Sequence, residues 1–261
     1  MIIMIRVRAF LASVAAAAMT VSTTACGGGS PSSDPSADRT RLTVFAAASL
    51  TKSYEQIGEQ FERTHPGVDV QFSFEGSQDL VAQLAQGAPV DVLATADTRS
   101  MTKASDQELV GPSREFATNV PTLITPAGNP AKVTGLDSSL VGADLVICAA
   151  EVPCGSATSI LARKLGVTLA PVSEEQKVTD VRGKVESGQA DAGIVYRTDA
   201  KAAGNKVEIV PINRAGEVVN HYPIAVAANA PHEALANEFI DHVMSDEAQK
   251  VLADDGFSPA R

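Results

Sequence analysis

The sequence predicts an α/β protein of two lobes with a cleft between them. Short apolar runs of strand length alternate with stretches of helical spacing. That alternation stops and restarts near the middle of the chain, and several loops leading from strands into helices are built of small residues. The strand-helix-strand order within the first set implies a parallel sheet with helices on its faces.

Residues 42–47 (LTVFAA) are the first strand. Leu50, Tyr54, Ile57 and Phe61 then recur at steps of four, three and four, one face of a helix, which Pro66 and Gly67 stop. Residues 68–74 alternate strictly and read as a half-buried strand. Leu80, Val81 and Leu84 mark a second helix, ending at residues 87–89, and residues 90–96 (VDVLATA) a third strand. The pattern restarts with strands at 120–125 and 144–149 and helices at 155–165 and 181–187. Strands at 190–196, 207–210 and 222–228 follow. Residues 232–255 carry Leu235, Phe239, Val243, Val251 and Leu252, a closing helical region in which Ser245 could cap a second helix. The chain has no internal repeat.

The N-terminus addresses the protein for export. Arg6 and Arg8 precede an apolar run over residues 9–21, shorter than the roughly 20 residues that span a bilayer. Residues 1–25 therefore read as a signal peptide. Thr23, Thr24 and Ala25 before Cys26 resemble a bacterial lipobox with Cys26 as the acylated residue, although Thr23 stands where such motifs usually carry Leu. An ordinary cleaved signal with an incidental cysteine is the alternative. Residues 26–40, rich in Gly, Ser, Pro and Asp, form a flexible tether. The expected location is the extracytoplasmic face of the cell membrane, through a lipid anchor.

Without Arg6 and Arg8 the chain carries 19 basic and 31 acidic residues, a net charge of −12. Nucleic-acid binding, which leaves a basic footprint, is disfavoured. An anion held by so acidic a chain must be caught by local donors, because the overall field repels it. There is no Trp and only 4% aromatic residues, which disfavours stacking on sugars. With Cys26 acylated, Cys148 and Cys154 remain as an even pair in an oxidising compartment, and a disulfide between them is expected, two free thiols being the alternative. A monomer is expected.

Four strand-to-helix loops carry small residues, hydroxyls or exposed N–H groups. They are Ala46-Ala47-Ala48-Ser49, Glu75-Gly76-Ser77, the stretch 152–156 (VPCGS) and the stretch 179–182 (TDVR). A helix start leaves its first N–H groups unpaired and carries about half a positive charge, so it attracts anions. Ser49, Ser77 and Asp180 are equally good N-caps, and a cap needs no ligand. Tyr196, at the end of a strand, reads by itself as a half-buried core residue.

Residues 43–51 (TVFAAASLT) resemble the opening of bacterial periplasmic molybdate-binding proteins. The resemblance continues in register through 74–77 (FEGS), 87–91 (GAPVD), Ala96-Asp97, 152–155 (VPCG), 180–182 (DVR), 193–196 (GIVY) and Tyr222-Pro223, and covers essentially all of residues 41–261. It implies the two-lobed type II periplasmic-binding-protein fold, with residues 41–120 plus 221–261 in one lobe and 121–220 in the other. The lobes would be joined by crossings near 118–122 and 220–223. It implies capture of a small tetrahedral oxyanion, molybdate and also tungstate, for an ABC importer made of a permease and its ATPase. Ser49 and Ser77 would give hydroxyls, Cys154 and Val181 backbone N–H groups, and Tyr196 its phenolic hydroxyl. The ligand is then the oxyanion itself, with no cofactor and no bare metal cation.

Such a donor set suits a fully ionised oxyanion, which only accepts. A protonated one would leave its O–H unmatched, at about 1–3 kcal/mol. Glu75, a carboxylate beside the second serine, has to point outward, and Arg182, next to Asp180, is expected to pair on the surface rather than hold the ligand. A sulfate-type binding protein is the nearest alternative. An exported hydrolase using Ser49 or Cys154 is another, but there is no Gly-x-Ser-x-Gly elbow and nothing pairs His221 with a nucleophile.

Overall fold

The computed structural model describes residues 39–260. The signal peptide, Cys26 and nearly all of the tether lie outside them. The order is β1 (Thr40–Ala47), a 3-10 turn (Ala48–Leu50), α1 (Thr51–Thr64), β2 (Val68–Glu75), α2 (Ser77–Ala85), β3 (Val92–Ala94), α3 (Thr98–Asp106) and β4 (Arg114–Asn119). Then come β5 (Pro121–Pro126), β6 (Leu145–Cys148), α4 (Pro153–Leu165), β7 (Ser173–Glu175), α5 (Val178–Glu186), β8 (Ala192–Tyr196), α6 (Arg197–Ala203) and β9 (Val207–Val210). The chain closes with β10 (Asn220–Val226), α7 (Glu233–Val243), α8 (Asp246–Asp255) and β11 (Ser258–Pro259).

These strands build the expected two-lobed α/β architecture on two sheets. One has six strands in the order β11-β4-β10-β3-β1-β2, the other five in the order β7-β6-β8-β5-β9. The β1–β2 and β1–β3 pairs are parallel, as the strand-helix-strand order requires. Each sheet also holds antiparallel strands, so both are mixed. The chain leaves the six-stranded sheet at Asn119, enters the other at Pro121, and returns at Asn220.

The helical face read from the spacing packs as expected. Leu50, Tyr54, Ile57 and Phe61 are all fully buried on the six-stranded sheet, each contributing roughly 1.5–3 kcal/mol. Ser245 caps α8 by accepting the Ala248 N–H. The sequence reading had no β4, α3, α6, β7 or β11. In β4 only Phe116 is strongly apolar, so no run or alternation flagged it, yet it lies between β10 and β11. β7, at the sheet edge, is Ser-Glu-Glu, a strand only because β6 offers it a ladder. Two helices start earlier than their apolar spacing: α4 at Pro153, a residue suited to the first helical position, and α5 at Val178. Among the described residues no helix is long and apolar enough to cross a membrane.

Candidate functional site

Four helical starts meet where the two sheets face each other. They form a small cavity lined by Ala47, Ala48, Ser49, Glu75, Gly76, Ser77 and Ala96 from the six-stranded lobe. The five-stranded lobe adds Val152, Pro153, Cys154, Lys177, Val178 and Tyr196.

Capping is ruled out as the reason for the serines. Ser49 sits inside the 3-10 turn, Ser77 is the first helical residue of α2, and Asp180 is the third of α5. The 3-10 turn, α1, α2, α4 and α5 all begin with no side-chain cap. Elsewhere α3 and α8 are capped by Asp97 and Ser245, while α7, opening after His232, is not. Helix starts without a cap leave N–H groups unpaired, and three of these, α2, α4 and α5, contribute residues to the cavity lining.

Each hydroxyl in the cavity is held by a protein partner. Ser77 Oγ accepts the Ala96 N–H at 3.0 Å. Tyr196 Oη accepts from Asn220 Nδ2 at 2.8 Å, and the same nitrogen donates to the Ala96 carbonyl at 2.9 Å. Ser49 Oγ and Tyr222 Oη lie 3.0 Å apart. Burial raises both tyrosines well above the usual phenol value, so the hydroxyls stay protonated and able to donate.

On the five-stranded wall, Pro153 has no N–H, and the first unpaired groups of α4 belong to Cys154 and Gly155, since Ser156 already donates to Val152. The Cys148–Cys154 disulfide is present, with Cα atoms 5.8 Å apart. It folds the loop onto the helix start so closely that a Cβ on Gly155 would lie 1.9 Å from the Ala149 carbonyl oxygen. Only glycine fits there.

Val181 is the fourth residue of α5, its side chain fully buried and outside the cavity lining. The Lys177 carbonyl accepts the Asp180 N–H at 3.2 Å, and Val178 lines the wall. Glu75, expected to point outward, lines the cavity but is neutralised across the cleft by Lys177, 3.0 Å away. That hydrogen bond holds the Lys177 ammonium above its usual pKa. Nearby, Gln78 Nε2 donates to the Gln176 carbonyl at 3.0 Å, and Arg99 to the Glu151 carbonyl at 2.7 Å. The walls approach so closely that a Cβ on Gly76 would lie 2.3 Å from the Gln176 oxygen. Arg182 pairs with Glu186 at 3.1 Å rather than with Asp180, and stays out of the cavity.

Sequence reasoning assigned no role at the site to Lys177, Ala96, Asn220 or Tyr222. The last two were findable: they alternate on one strand and so share a face.

Residues 42–258 match the family of bacterial extracellular solute-binding proteins. The molybdate-binding protein ModA of Mycobacterium tuberculosis is 44% identical over 90% of this chain and 92% of its own length. ModA of Escherichia coli is 31% identical, over 85% and 90%. The solved periplasmic molybdate-binding protein of Azotobacter vinelandii shares the fold with a TM-score of 0.69, at 21% identity, over 84% of this chain and 100% of that one.

Proposed function

Since the chain belongs to the bacterial extracellular solute-binding proteins, we propose that it captures molybdate, and equally tungstate, outside the membrane and delivers it to an ABC importer. One observation carries this reading: three hydroxyls and several uncapped helix starts converge on one small cavity, with the oxygens of Ser77 and Tyr196 occupied as acceptors and Ser49 paired with Tyr222. Such a cavity is rich in donors, which suits a tetrahedral dianion with four accepting oxygens.

In this reading Ser49, Ser77 and Tyr196 donate from side chains, and the starts of α4 and α5 donate from backbone, at Cys154 and Val181. Hydrogen bonds to a charged group contribute about 1.5–3 kcal/mol each, enough together to offset an association cost of about 4–15 kcal/mol. The net effect is binding without a dedicated cation. The lobes, 41–120 with 221–261 and 121–220, close as rigid bodies because a ligand touching both walls favours the closed arrangement. No reaction follows capture, so the protein is a carrier and not an enzyme. Cys26 carries the lipid that keeps it near the permease and its ATPase, and it acts as a monomer.

Calorimetric titration with four anions tests the reading. Molybdate and tungstate bind alike, sulfate more weakly because it is smaller and leaves donors out of reach, and hydrogen phosphate hardly at all near neutral pH. Phosphate binding as tightly as molybdate would overturn the assignment.

A further inference from the structure

We propose that Asn220 is a positioning residue, which makes Tyr196 a hydrogen-bond donor to the ligand by filling the acceptor side of its hydroxyl. The inference rests on the oxyanion reading of the cavity and extends it to a residue outside the cavity wall.

The orientation of the Asn220 amide is forced by its neighbours. The Ala96 carbonyl can only accept, so the Asn220 atom 2.9 Å from it is the nitrogen. That same nitrogen lies 2.8 Å from Tyr196 Oη. It has two protons, and these contacts use both, so Oη accepts from Asn220 and its own proton is left for another partner. Tyr196 is 1% exposed and lines the cavity, which makes the cavity the place that proton can reach.

The arrangement also joins the two walls. Ala96 donates its N–H to Ser77 Oγ and accepts at its carbonyl from Asn220, which donates in turn to Tyr196. One residue at the return crossing, the first of β10, thus links a hydroxyl of the six-stranded lobe to one of the five-stranded lobe. Without the amide, the Ala96 carbonyl loses its donor and competes for the tyrosine proton. The hydroxyl then turns an oxygen lone pair toward an anion. The ligand would meet repulsion where it had met a donor.

Molybdate titrations of Asn220→Ala, alone and combined with Tyr196→Phe, test this. Asn220→Ala alone lowers affinity about tenfold or more, close to the loss from Tyr196→Phe alone, as expected for one lost bond to a charged group. In the Tyr196→Phe background the same change costs less than about twofold, because the group it positions is gone. Asn220→Asp keeps the shape but replaces the donor by acceptors, and lowers affinity at least as far as Asn220→Ala. Equal losses in both backgrounds, or no loss in either, would overturn the role. Failure of both Asn220 variants to melt cooperatively would also overturn it, assigning Asn220 to the fold. A wild type that takes up no molybdate would overturn the functional reading and this role with it. Normal wild-type binding with equal losses in both backgrounds overturns the role of Asn220 alone.

Discussion

The two walls of the cavity are built on different principles. On the six-stranded side the distinctive donors are side chains, Ser49 in the 3-10 turn and Ser77 at the first position of α2, and each is steered by one hydrogen bond. On the five-stranded side most donors are backbone N–H groups at the starts of α4 and α5, and the α4 start is pinned by the Cys148–Cys154 disulfide. Hydroxyl donors can be deleted singly by substitution. Backbone donors persist through substitution and are lost when the loop geometry relaxes. The same ligand charge can therefore be met on one wall by composition and on the other by conformation.

Buried acids sharpen the contrast most. On the six-stranded side Asp255 is compensated by Lys52 at 2.6 Å and Ser53 at 2.7 Å. On the five-stranded side Asp199, just beyond Tyr196, accepts the Tyr196 N–H at 3.2 Å, and burial raises its pKa from 3.8 to about 7 against the attraction of Arg182. An acid whose folded pKa is raised holds its proton longer in the folded state. Its contribution is complete below the unfolded pKa near 4 and is lost as pH rises to about 7. The loss is of order 4 kcal/mol. Asp199→Asn is expected to flatten the fall in stability between those pH values, measured by denaturant unfolding across the range. A slope identical to wild type would remove Asp199 as its source.

The hydroxyl donors come next in size. Ser49→Ala, Ser77→Ala and Tyr196→Phe should each weaken molybdate binding by about 1.5–3 kcal/mol, tenfold or more, while barely moving the melting temperature. Three variants binding like wild type would place the ligand elsewhere.

Opening the disulfide probes the other principle. A link between residues six apart stabilises by about 2 kcal/mol through the unfolded chain. The paired change Cys148→Ser with Cys154→Ser should cost about that much stability. It should also weaken molybdate, although no side-chain donor has been removed. Affinity untouched by the double change would mean that the α4 start holds its geometry without the link.

The smallest effect belongs to the pair across the mouth. Glu75 and Lys177 are each more than a quarter exposed, so replacing Lys177 by Met should cost under about 1 kcal/mol of stability, and less at high salt. Its effect on binding should exceed that, because it leaves Glu75 unneutralised beside the anion. Titration at two salt concentrations checks both parts.

Much of the site could be read from local sequence, because small-residue loops before helices are short-range features. Ser49, Ser77, Cys154 and Tyr196 each sit where a strand ends and a helix begins, and all four line the cavity. The start of α5 shows where that reading stops. The apolar spacing indicated a helix from Val181, whereas the helix opens at Val178, because Thr179 and Asp180 in its first turn had no period to mark it.

By itself the sequence determined the α/β class, the strands and helices that carry an apolar period, and the small, hydroxyl-bearing composition of the loops. These follow from side-chain spacing and from groups close together along the chain. Only the tertiary structure decided that Lys177 faces Glu75, that β4 joins a sheet its composition does not advertise, and that Asn220 reaches both Ala96 and Tyr196. Those pairs lie 102, 124 and 24 residues apart for Lys177–Glu75, Asn220–Ala96 and Asn220–Tyr196. Contacts at such separations are set by how two sheets meet, and no local period encodes that meeting.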